Sequence, residues 1–223
     1  MITVHHLENS RSQRVLWLLE ELGLEYELKC YSRDPKTMLA PPELKHVHAL
    51  GKAPVVIDEG RVLAESGAII ECLLQKYDSA HRLHPAYGSA ARDQFTYWMH
   101  YAEGSAMPPL LMSLVFARIR SAPMPFFAKP FARAIVDKAM AGFIAPQLVL
   151  HFDFMESQLQ QQDWFGAEQF SAADIQMSFP IEAAEARGAL GRRKRLKAWL
   201  AAIQKRPAYL AAVKRGGRFE LLK

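Results

Sequence analysis

Cysteine is scarce in this sequence, whose 223 residues contain only Cys30 and Cys72, far apart and without a Cys-x-x-Cys pair. That spacing argues against a thioredoxin-type dithiol centre and against a zinc site. We therefore expect both cysteines to be packed thiols and expect no bound metal.

Long apolar runs are also missing. No N-terminal segment joins basic residues to an apolar core as a signal peptide does, and no window approaches the roughly 18 uninterrupted apolar residues of a membrane helix. We expect a cytoplasmic protein without a membrane partner. Hydrophobic residues make up 50% of the chain, enough for a substantial core in one or two domains.

Acidic residues are rare at the C-terminal end. Residues 187–223 include twelve lysines and arginines but one acid, Glu220, so the preceding part is mildly acidic. One interpretation is a nucleic-acid patch. We favour a solvated loop and helix start at 192–195, because no zinc finger, RNA-binding motif or stacking aromatic residues accompany the charges. We expect no nucleic-acid partner.

The first eighty or so residues alternate between strand and helix patterns. In chain order, the predicted elements are a strand at 2–4, a helix at 12–22, a strand at 24–29, a short helix at 43–47, and a hairpin of strands at 55–57 and 62–64. This βαβ(α)ββα order predicts a thioredoxin-like α/β domain at 1–80, with helices over a small mixed sheet.

The rest of the chain is almost entirely helical in pattern. After a linker at 81–88, helical periodicity covers 90–114, 131–160, 172–187, 194–205 and 208–214. The sequence Met107-Pro108-Pro109 is expected to kink or break the first of these helices, and Ser171 with Asp174 forms a capping box. We predict an all-α helical-bundle domain at 89–223.

The most informative motif lies at 50–57, where a Gly-Lys-x-Pro turn runs into a β-branched strand. Pro54 begins that strand, where its missing N–H does no harm, and Ala53 before it is extended with free backbone groups. Ser66 precedes an apolar helix as its expected N-cap, with N–H groups that suit a carboxylate, and Glu65 suits an amine. A ligand with a peptide bond, a carboxylate and an amine satisfies all three.

These motifs together resemble the cytosolic glutathione transferases. The resemblance consists of a thioredoxin-like half with Gly-Lys-x-Pro and Glu-Ser, and a helical half with Ser-x-x-Asp before a buried helix, and it covers nearly the whole chain. Residues 9–23 and 101–108 are most similar to the microbial branch related to the yeast Gtt-type proteins. The resemblance implies glutathione as cosubstrate and a homodimer that joins one chain's N-terminal half to the other's helices.

The resemblance also implies a set of glutathione-binding residues: Lys52, Ala53, Pro54, Glu65, Ser66 and His48. Pro54 is then a cis-proline, and the backbone of Ala53 pairs with the cysteinyl peptide. Glu65 binds the γ-glutamyl amine, Ser66 the γ-glutamyl carboxylate, and Lys52 lies toward the glycyl carboxylate. His48 stands where the family often has the asparagine of Asn-Pro-Leu-Gly-Lys.

Catalysis in this family needs the glutathione sulfur as a thiolate, because a free thiol is mostly protonated near pH 7. A donor or cation after the first strand lowers the pKa of the thiol by stabilising its charged form. Residues 9–12 contain no tyrosine or cysteine, which excludes the tyrosine-type and cysteine-type versions. We place the role on Ser10, with Asn9 as the alternative and Arg11 as electrostatic support. Ser12 is equally suited to cap the helix.

The electrophile pocket is expected between the domains, lined by Tyr97, Tyr101, Ser105 and Met107, and suited to hydrophobic substrates. Tyr101 either hydrogen-bonds a developing negative charge or belongs to the core, and Glu103 serves the dimer or a ligand across it. The predicted function is addition of the glutathione thiolate to hydrophobic electrophiles. Two alternatives are glutathione-dependent reduction of disulfides or peroxides, and noncatalytic binding of glutathione or another ligand by the same fold.

Overall fold

A computed structural model describes residues 1–166 and 168–217. Ala167 and residues 218–223, the end of the predicted basic segment with Glu220, lie outside the described residues. The N-terminal part is a mixed sheet of four strands, in the order β2-β1-β3-β4. The strands are β1 (Ile2–Leu7), β2 (Tyr26–Tyr31), β3 (Val55–Asp58) and β4 (Arg61–Ala64). β1 pairs in parallel with β2 and antiparallel with β3, and β3 and β4 form the predicted hairpin.

Two α-helices and a short 3₁₀ helix complete this part: α1 (Ser12–Leu22), α2 (Ser66–Tyr77) and the 3₁₀ segment Pro42–His46. Helix α1 has the predicted bounds and ends at Gly23, whose φ of 68° is the left-handed C-cap conformation that glycine favours. Its apolar face, including Val15, Leu16 and Leu19, is fully buried. The predicted thioredoxin-like fold is confirmed.

The remaining described elements are helical. They are α3 (Ala90–Tyr101), α4 (Met107–Ser121), α5 (Lys129–Ala139), α6 (Ala145–Gln161), α7 (Ala172–Glu185), α8 (Lys194–Gln204) and α9 (Pro207–Gly216). π-Helical turns at Ala102–Ala106 and Met140–Ile144 join α3 to α4 and α5 to α6.

The helix predicted at 90–114 is interrupted next to Met107-Pro108-Pro109, since α3 ends at Tyr101 and α4 begins at Met107. Pro108 and Pro109 lie in the first turn of α4, where a missing N–H is tolerated. The helix changes its hydrogen-bonding pattern earlier, in the π-helical turn Ala102–Ala106, and π-turns of this kind are frequent at functional sites.

Helix α7 lies at the centre of the helical part, with every residue from Ala172 to Ala184 buried. The predicted capping box is confirmed, because Asp174 accepts the Ser171 N–H at 3.0 Å and the Ser171 hydroxyl accepts the N–H of Ala173 at 3.3 Å. Asp174 also accepts the indole N–H of Trp199 at 3.0 Å. Burial raises the pKa of Asp174 to about 6.

Helix α9 ties the end of the described chain to the N-terminal part. The Tyr209 ring meets the Trp17 ring edge-on at 5.1 Å, and Arg206 forms an ion pair with Glu21 at 2.6 Å. The two parts therefore share one hydrophobic core through α1.

One helical run, Lys129–Gln161, is long and apolar enough to cross a membrane by length and composition, with a mean hydropathy of 1.2 and 17% of the window buried. Core helices of soluble proteins that meet the same criterion are mostly buried, unlike this run, but a single such helix is weak evidence for a membrane span. The expectation of no membrane partner therefore stays a prediction.

Candidate active site

The loop between β1 and α1 opens onto a cavity of about 440 Å³ that Asn9, Ser10 and Arg11 help to line. Asn9 has a φ of 50°, in the left-handed region that asparagine tolerates better than most residues. The chain thereby reverses at the end of the sheet and presents Ser10 just before α1.

Ser10 belongs to a buried chain of hydrogen bonds. Its Oγ accepts the Ser12 N–H at 3.2 Å and lies 2.7 Å from the Ser12 Oγ. The Ser12 Oγ lies 2.8 Å from Nδ1 of His6, whose Nε2 lies 3.0 Å from the carbonyl oxygen of Gly216. Ser12 also accepts the Leu7 N–H at 3.1 Å, so it fastens the loop to β1. The sequence analysis missed His6.

A second cavity, of about 260 Å³, adjoins the first. Its lining contains all six residues expected to bind glutathione, namely His48, Lys52, Ala53, Pro54, Glu65 and Ser66. Arg11, Lys52 and Ala53 line both cavities. The structure therefore brings the predicted binding residues together and places them beside Ser10.

The backbone around this second cavity has two unusual features. The Ala53–Pro54 peptide bond is cis, as the resemblance implied. Glu65 has φ 68° and ψ 120°, a conformation that costs a non-glycine residue about 1–3 kcal/mol and that concentrates at functional sites. This turn points the chain from β4 into α2 and leaves Glu65 exposed at the cavity.

The expected N-cap role of Ser66 is wrong. Ser66 is the first residue of α2, the preceding residue is Glu65, and the helix has no side-chain cap hydrogen bond. The Ser66 Oγ instead accepts a hydrogen bond from Nη1 of Arg14 at 3.3 Å, so its own proton remains available to a ligand. Its backbone N–H, in the first turn, still lies at the positive end of the helix.

Arg14 is the main residue of this region that the sequence analysis missed. Its side chain is only 1% exposed, and Nη1 donates to Glu103 at 2.6 Å and to Gln176 at 3.2 Å. Burial lowers the pKa of Arg14 to about 10, so the guanidinium stays charged near pH 7. The sequence did contain a signal for Arg14. It lies four residues before Leu18, so the predicted helix places this charged side chain on its apolar, buried face.

The Glu103 carboxylate pairs with Arg11 of the loop and with Arg14 of α1. Its carboxylate accepts from Arg11 Nε at 2.8 Å as well as from Arg14. Burial opposes its ionisation, but the charges and hydrogen bonds of Arg14 and Arg11 prevail and lower its pKa. Glu103 thus forms ion pairs within its own chain. Arg11 lines both cavities, but its positive charge is partly neutralised by Glu103.

The predicted lining of the electrophile pocket needs correction. Among the described residues, Met107 lines the larger cavity, whereas Tyr97, Tyr101 and Ser105 do not. The Tyr101 hydroxyl lies 2.6 Å from Nδ1 of His151, and its ring packs on Trp98 at 4.9 Å. Tyr97 stacks on Tyr101. The physical reason is packing, because the rings of both tyrosines contact Phe154 of α6.

The residues that do line the larger cavity come mainly from α4 and from α7 and its C-terminal end. They are Leu110, Leu111, Leu114, Arg118, Phe179, Ala183 and Arg187, joined by Arg33 and 37–40 from the segment after β2. The wall is apolar with cationic side chains, and the described lining contains no carboxylate.

A thioredoxin-like domain with a cis-proline cavity, set against an all-helical domain, defines the class of protein. The sequence profile of the family "Glutathione S-transferase, N-terminal domain" matches residues 10–76. The chain is 37% identical to Glutathione S-transferase 3 of Schizosaccharomyces pombe, over 93% of this chain and 85% of that one. It is 36% identical to Glutathione S-transferase 1 of Saccharomyces cerevisiae, over 95% and 94%. The chain belongs to the glutathione S-transferase family.

Solved structures agree with this assignment. A glutathione S-transferase from Actinobacillus pleuropneumoniae is 36% identical and superposes with a TM-score of 0.80, over 99% of this chain and 95% of that one. A homologue from Lodderomyces elongisporus, solved with two GSH per subunit, is 16% identical and shares the fold with a TM-score of 0.76, over 97% and 99%. The predicted resemblance to the yeast branch is confirmed.

Proposed function

We propose that this enzyme adds the glutathione thiolate to hydrophobic electrophiles, as a cytoplasmic homodimer with a role in detoxification. One observation carries the proposal. The six residues expected to bind glutathione line one cavity, and that cavity shares three lining residues with the larger, mainly apolar cavity that Ser10 and Asn9 also line.

In this proposal the smaller cavity holds the peptide. The backbone of Ala53 pairs with the cysteinyl unit, as an added strand would. Glu65 binds the γ-glutamyl amine. Ser66 donates its hydroxyl proton and its N–H to the γ-glutamyl carboxylate, and Arg14 keeps that hydroxyl oriented by donating to its oxygen. Lys52, exposed at the junction of the cavities, faces the glycyl carboxylate.

The cysteinyl sulfur then lies near the β1–α1 loop, where Ser10 is the proposed donor to the thiolate and Asn9 the alternative. A hydrogen bond to the charged form lowers the pKa of the thiol and raises the fraction of nucleophile near pH 7. Binding both substrates side by side supplies the further advantage of proximity.

The reductase alternative has less support, because neither cavity is lined by a cysteine among the described residues. Turnover of hydroxyethyl disulfide or cumene hydroperoxide, at rates above conjugation of a reactive aryl chloride, would favour that alternative. Binding of glutathione without turnover of any of these substrates would favour a noncatalytic protein.

Calorimetric titration with glutathione and with S-hexylglutathione tests the proposal directly. Both are expected to bind, and Ser66→Ala is expected to weaken glutathione binding about 10-fold, since it removes a hydrogen bond to a charged group. Ser157→Ala, which removes an exposed hydroxyl of α6, is the matched control and should bind as the natural chain does. Absence of binding to both ligands would overturn every glutathione-dependent function. Sedimentation as a monomer of 25.2 kDa would contradict the proposed dimer.

A further inference from the structure

The larger cavity carries more positive charge than glutathione binding explains. Its lining includes five cationic side chains, Arg11, Arg33, Lys52, Arg118 and Arg187. Arg11 and Lys52 also line the smaller cavity, where the two carboxylates of glutathione are proposed to lie. The other three line the larger cavity without lining the smaller one, and so they face the proposed electrophile.

Arg33 has the carboxylate of Glu8 nearby, whereas the other two arginines have no such partner among the described residues. The Arg33 guanidinium donates to the carbonyl oxygens of Glu8, Met38 and Asn9 at 3.0–3.3 Å, and the Arg33 backbone N–H donates to the Glu8 carboxylate at 2.9 Å. Arg118 and Arg187 have no side-chain hydrogen bond or ion pair with any described residue. Burial lowers the pKa of Arg187, and the charge of Arg118 lowers it further.

Arg118 also opposes Arg33. Burial lowers the pKa of Arg33, Glu8 acts in the opposite direction, and the charges of Arg11 and Arg118 add to the lowering. Arg118 thus repels both Arg33 and Arg187 at the wall of a cavity whose described lining contains no carboxylate. Such an arrangement becomes favourable when an anion lies among them, because a guanidinium binds a carboxylate through two parallel N–H donors.

We propose that the electrophile of this enzyme is an amphipathic acid, with its acidic group bound by Arg33, Arg118 and Arg187 and its apolar part against Leu111, Leu114 and Phe179. This inference rests on the proposed function and names the substrate class of the same site. Phe179, whose ring lies 4.8 Å from the guanidinium carbon of Arg11, contributes an aromatic side chain to the cavity lining.

Two aryl chlorides that differ in charge test the proposal. They are 4-chloro-3-nitrobenzoate and the neutral 4-chloro-3-nitrobenzamide. The ratio of their kcat/KM values, benzoate over benzamide, is expected to fall about 10-fold in Arg118→Gln and in Arg187→Gln, as for the loss of one charge-assisted hydrogen bond. Added salt is expected to lower the same ratio in the natural chain.

Arg120→Gln is the matched control, since Arg120 lies on the same helix, is paired with Asp137 at 2.6 Å and is absent from the described cavity lining. Its ratio should equal that of the natural chain. An unchanged ratio in both Arg118→Gln and Arg187→Gln would overturn the proposal, as would a fall of the same size in Arg120→Gln.

Calorimetry separates failure of the subsite from failure of the proposed reaction. With S-methylglutathione present, the benzoate is expected to bind more tightly than the benzamide, and the difference should shrink in Arg118→Gln, whatever the rate of turnover. Equal affinities in the natural chain would overturn the subsite. If the natural chain binds a second glutathione and Arg118→Gln does not, the three arginines bind glutathione rather than the electrophile, and the proposal is overturned.

Discussion

The hydroxyl oxygens of Ser10 and Ser12 lie 2.7 Å apart, so one of the two serines donates to the other. Nε2 of His6 faces the Gly216 carbonyl and must donate to it, which leaves Nδ1 of the neutral ring as an acceptor. Burial lowers the pKa of His6 and favours that neutral ring. The single Ser12 hydroxyl proton has two acceptors besides Ser10, Nδ1 of His6 at 2.8 Å and the Leu7 carbonyl oxygen at 3.1 Å. Ser10 therefore donates to Ser12 until a thiolate offers a stronger acceptor.

This competition predicts opposite effects of two substitutions on the pKa of the bound glutathione thiol. Ser12→Ala removes the competing acceptor but keeps the N–H that binds Ser10, so the pKa of the thiol is expected to fall by about half a unit. Ser10→Ala removes the donor, so the pKa is expected to rise by about one unit. The pH dependence of the ultraviolet absorbance of the thiolate measures both. An unchanged thiol pKa in Ser10→Ala would transfer the role to Asn9.

The Glu103–Arg14 pair is expected to stabilise the fold. Glu103→Gln leaves a buried guanidinium without its counter-charge, which costs about 3–5 kcal/mol when a pair is fully buried. Since the Glu103 side chain is 34% exposed, we expect a loss of about 2 kcal/mol in the free energy of unfolding, measured by urea denaturation.

Asp137→Asn is the control for that measurement. It breaks the Arg120–Asp137 pair, which has the same N–O distance of 2.6 Å but side chains that are 53% and 57% exposed. Its cost should stay below about 1 kcal/mol. The pKa of Glu103 is lowered in the native state, so its stabilising effect is complete above the unfolded pKa and is lost as the pH falls through the native value. Equal losses in the two variants would contradict the prediction.

Glu182 is expected to make stability fall as the pH rises. Burial raises the pKa of this carboxyl to about 7, although Tyr209 donates to it at 2.6 Å. Between about pH 4.3, where an unfolded glutamate ionises, and a native pKa of about 7, the native state keeps a proton that the unfolded chain loses. The free energy of unfolding therefore declines across this window.

Glu182→Gln keeps an acceptor for Tyr209 and removes the titration. Relative to the natural chain, it is expected to gain about 3–4 kcal/mol of stability between pH 4 and pH 8. Denaturation curves across that range provide the measurement, and Glu25→Gln, at an exposed carboxylate, serves as the control. Parallel stability profiles of Glu182→Gln and the natural chain would show that Glu182 is ionised throughout.

Leu111 is expected to contribute to electrophile binding. It lines the larger cavity and is 54% exposed in the chain as described. Leu111→Ser should raise KM for a hydrophobic aryl chloride about 5-fold, from roughly 1 kcal/mol of lost apolar burial, with glutathione affinity unchanged. Leu210→Ser is a close control, because Leu210 is 55% exposed on α9 and absent from the described cavity lining. Equal KM values in the two variants would contradict the assigned lining.

Tyr101 is expected to act in packing rather than in catalysis. Its hydroxyl is held by His151 at 2.6 Å and does not line the described cavity. Tyr101→Phe should therefore leave kcat and KM unchanged and lower the free energy of unfolding by about 1 kcal/mol. A loss of kcat without a change in the free energy of unfolding would contradict this prediction and would indicate that Tyr101 acts in the electrophile site.

Structural features that depend only on neighbouring residues could be predicted from the sequence. The turn at Gly23, the hairpin after Pro54 and the capping box of Ser171 and Asp174 follow from neighbouring residues, and each appears in the structure. Five of the six residues proposed to bind glutathione lie in two short motifs, 50–57 and 65–66, and the structure places them in the lining of the smaller cavity. Residues paired over long separations could not be predicted. Arg14 and Glu103 are 89 positions apart, and neither has a local pattern that names the other.

The sequence by itself determined the two-part architecture and the motifs for a ligand with a peptide bond, an amine and a carboxylate, because strand and helix periodicity and turn chemistry are local properties. Only the tertiary structure decided which faces line the cavities. Tyr97 and Tyr101 pack on Phe154 of α6 rather than line the larger cavity, and the packing of α4 against α7 brings Arg118 and Arg187 to it. The contacts between distant helices and the meeting of distant charges depend on tertiary packing, which no short stretch of sequence encodes.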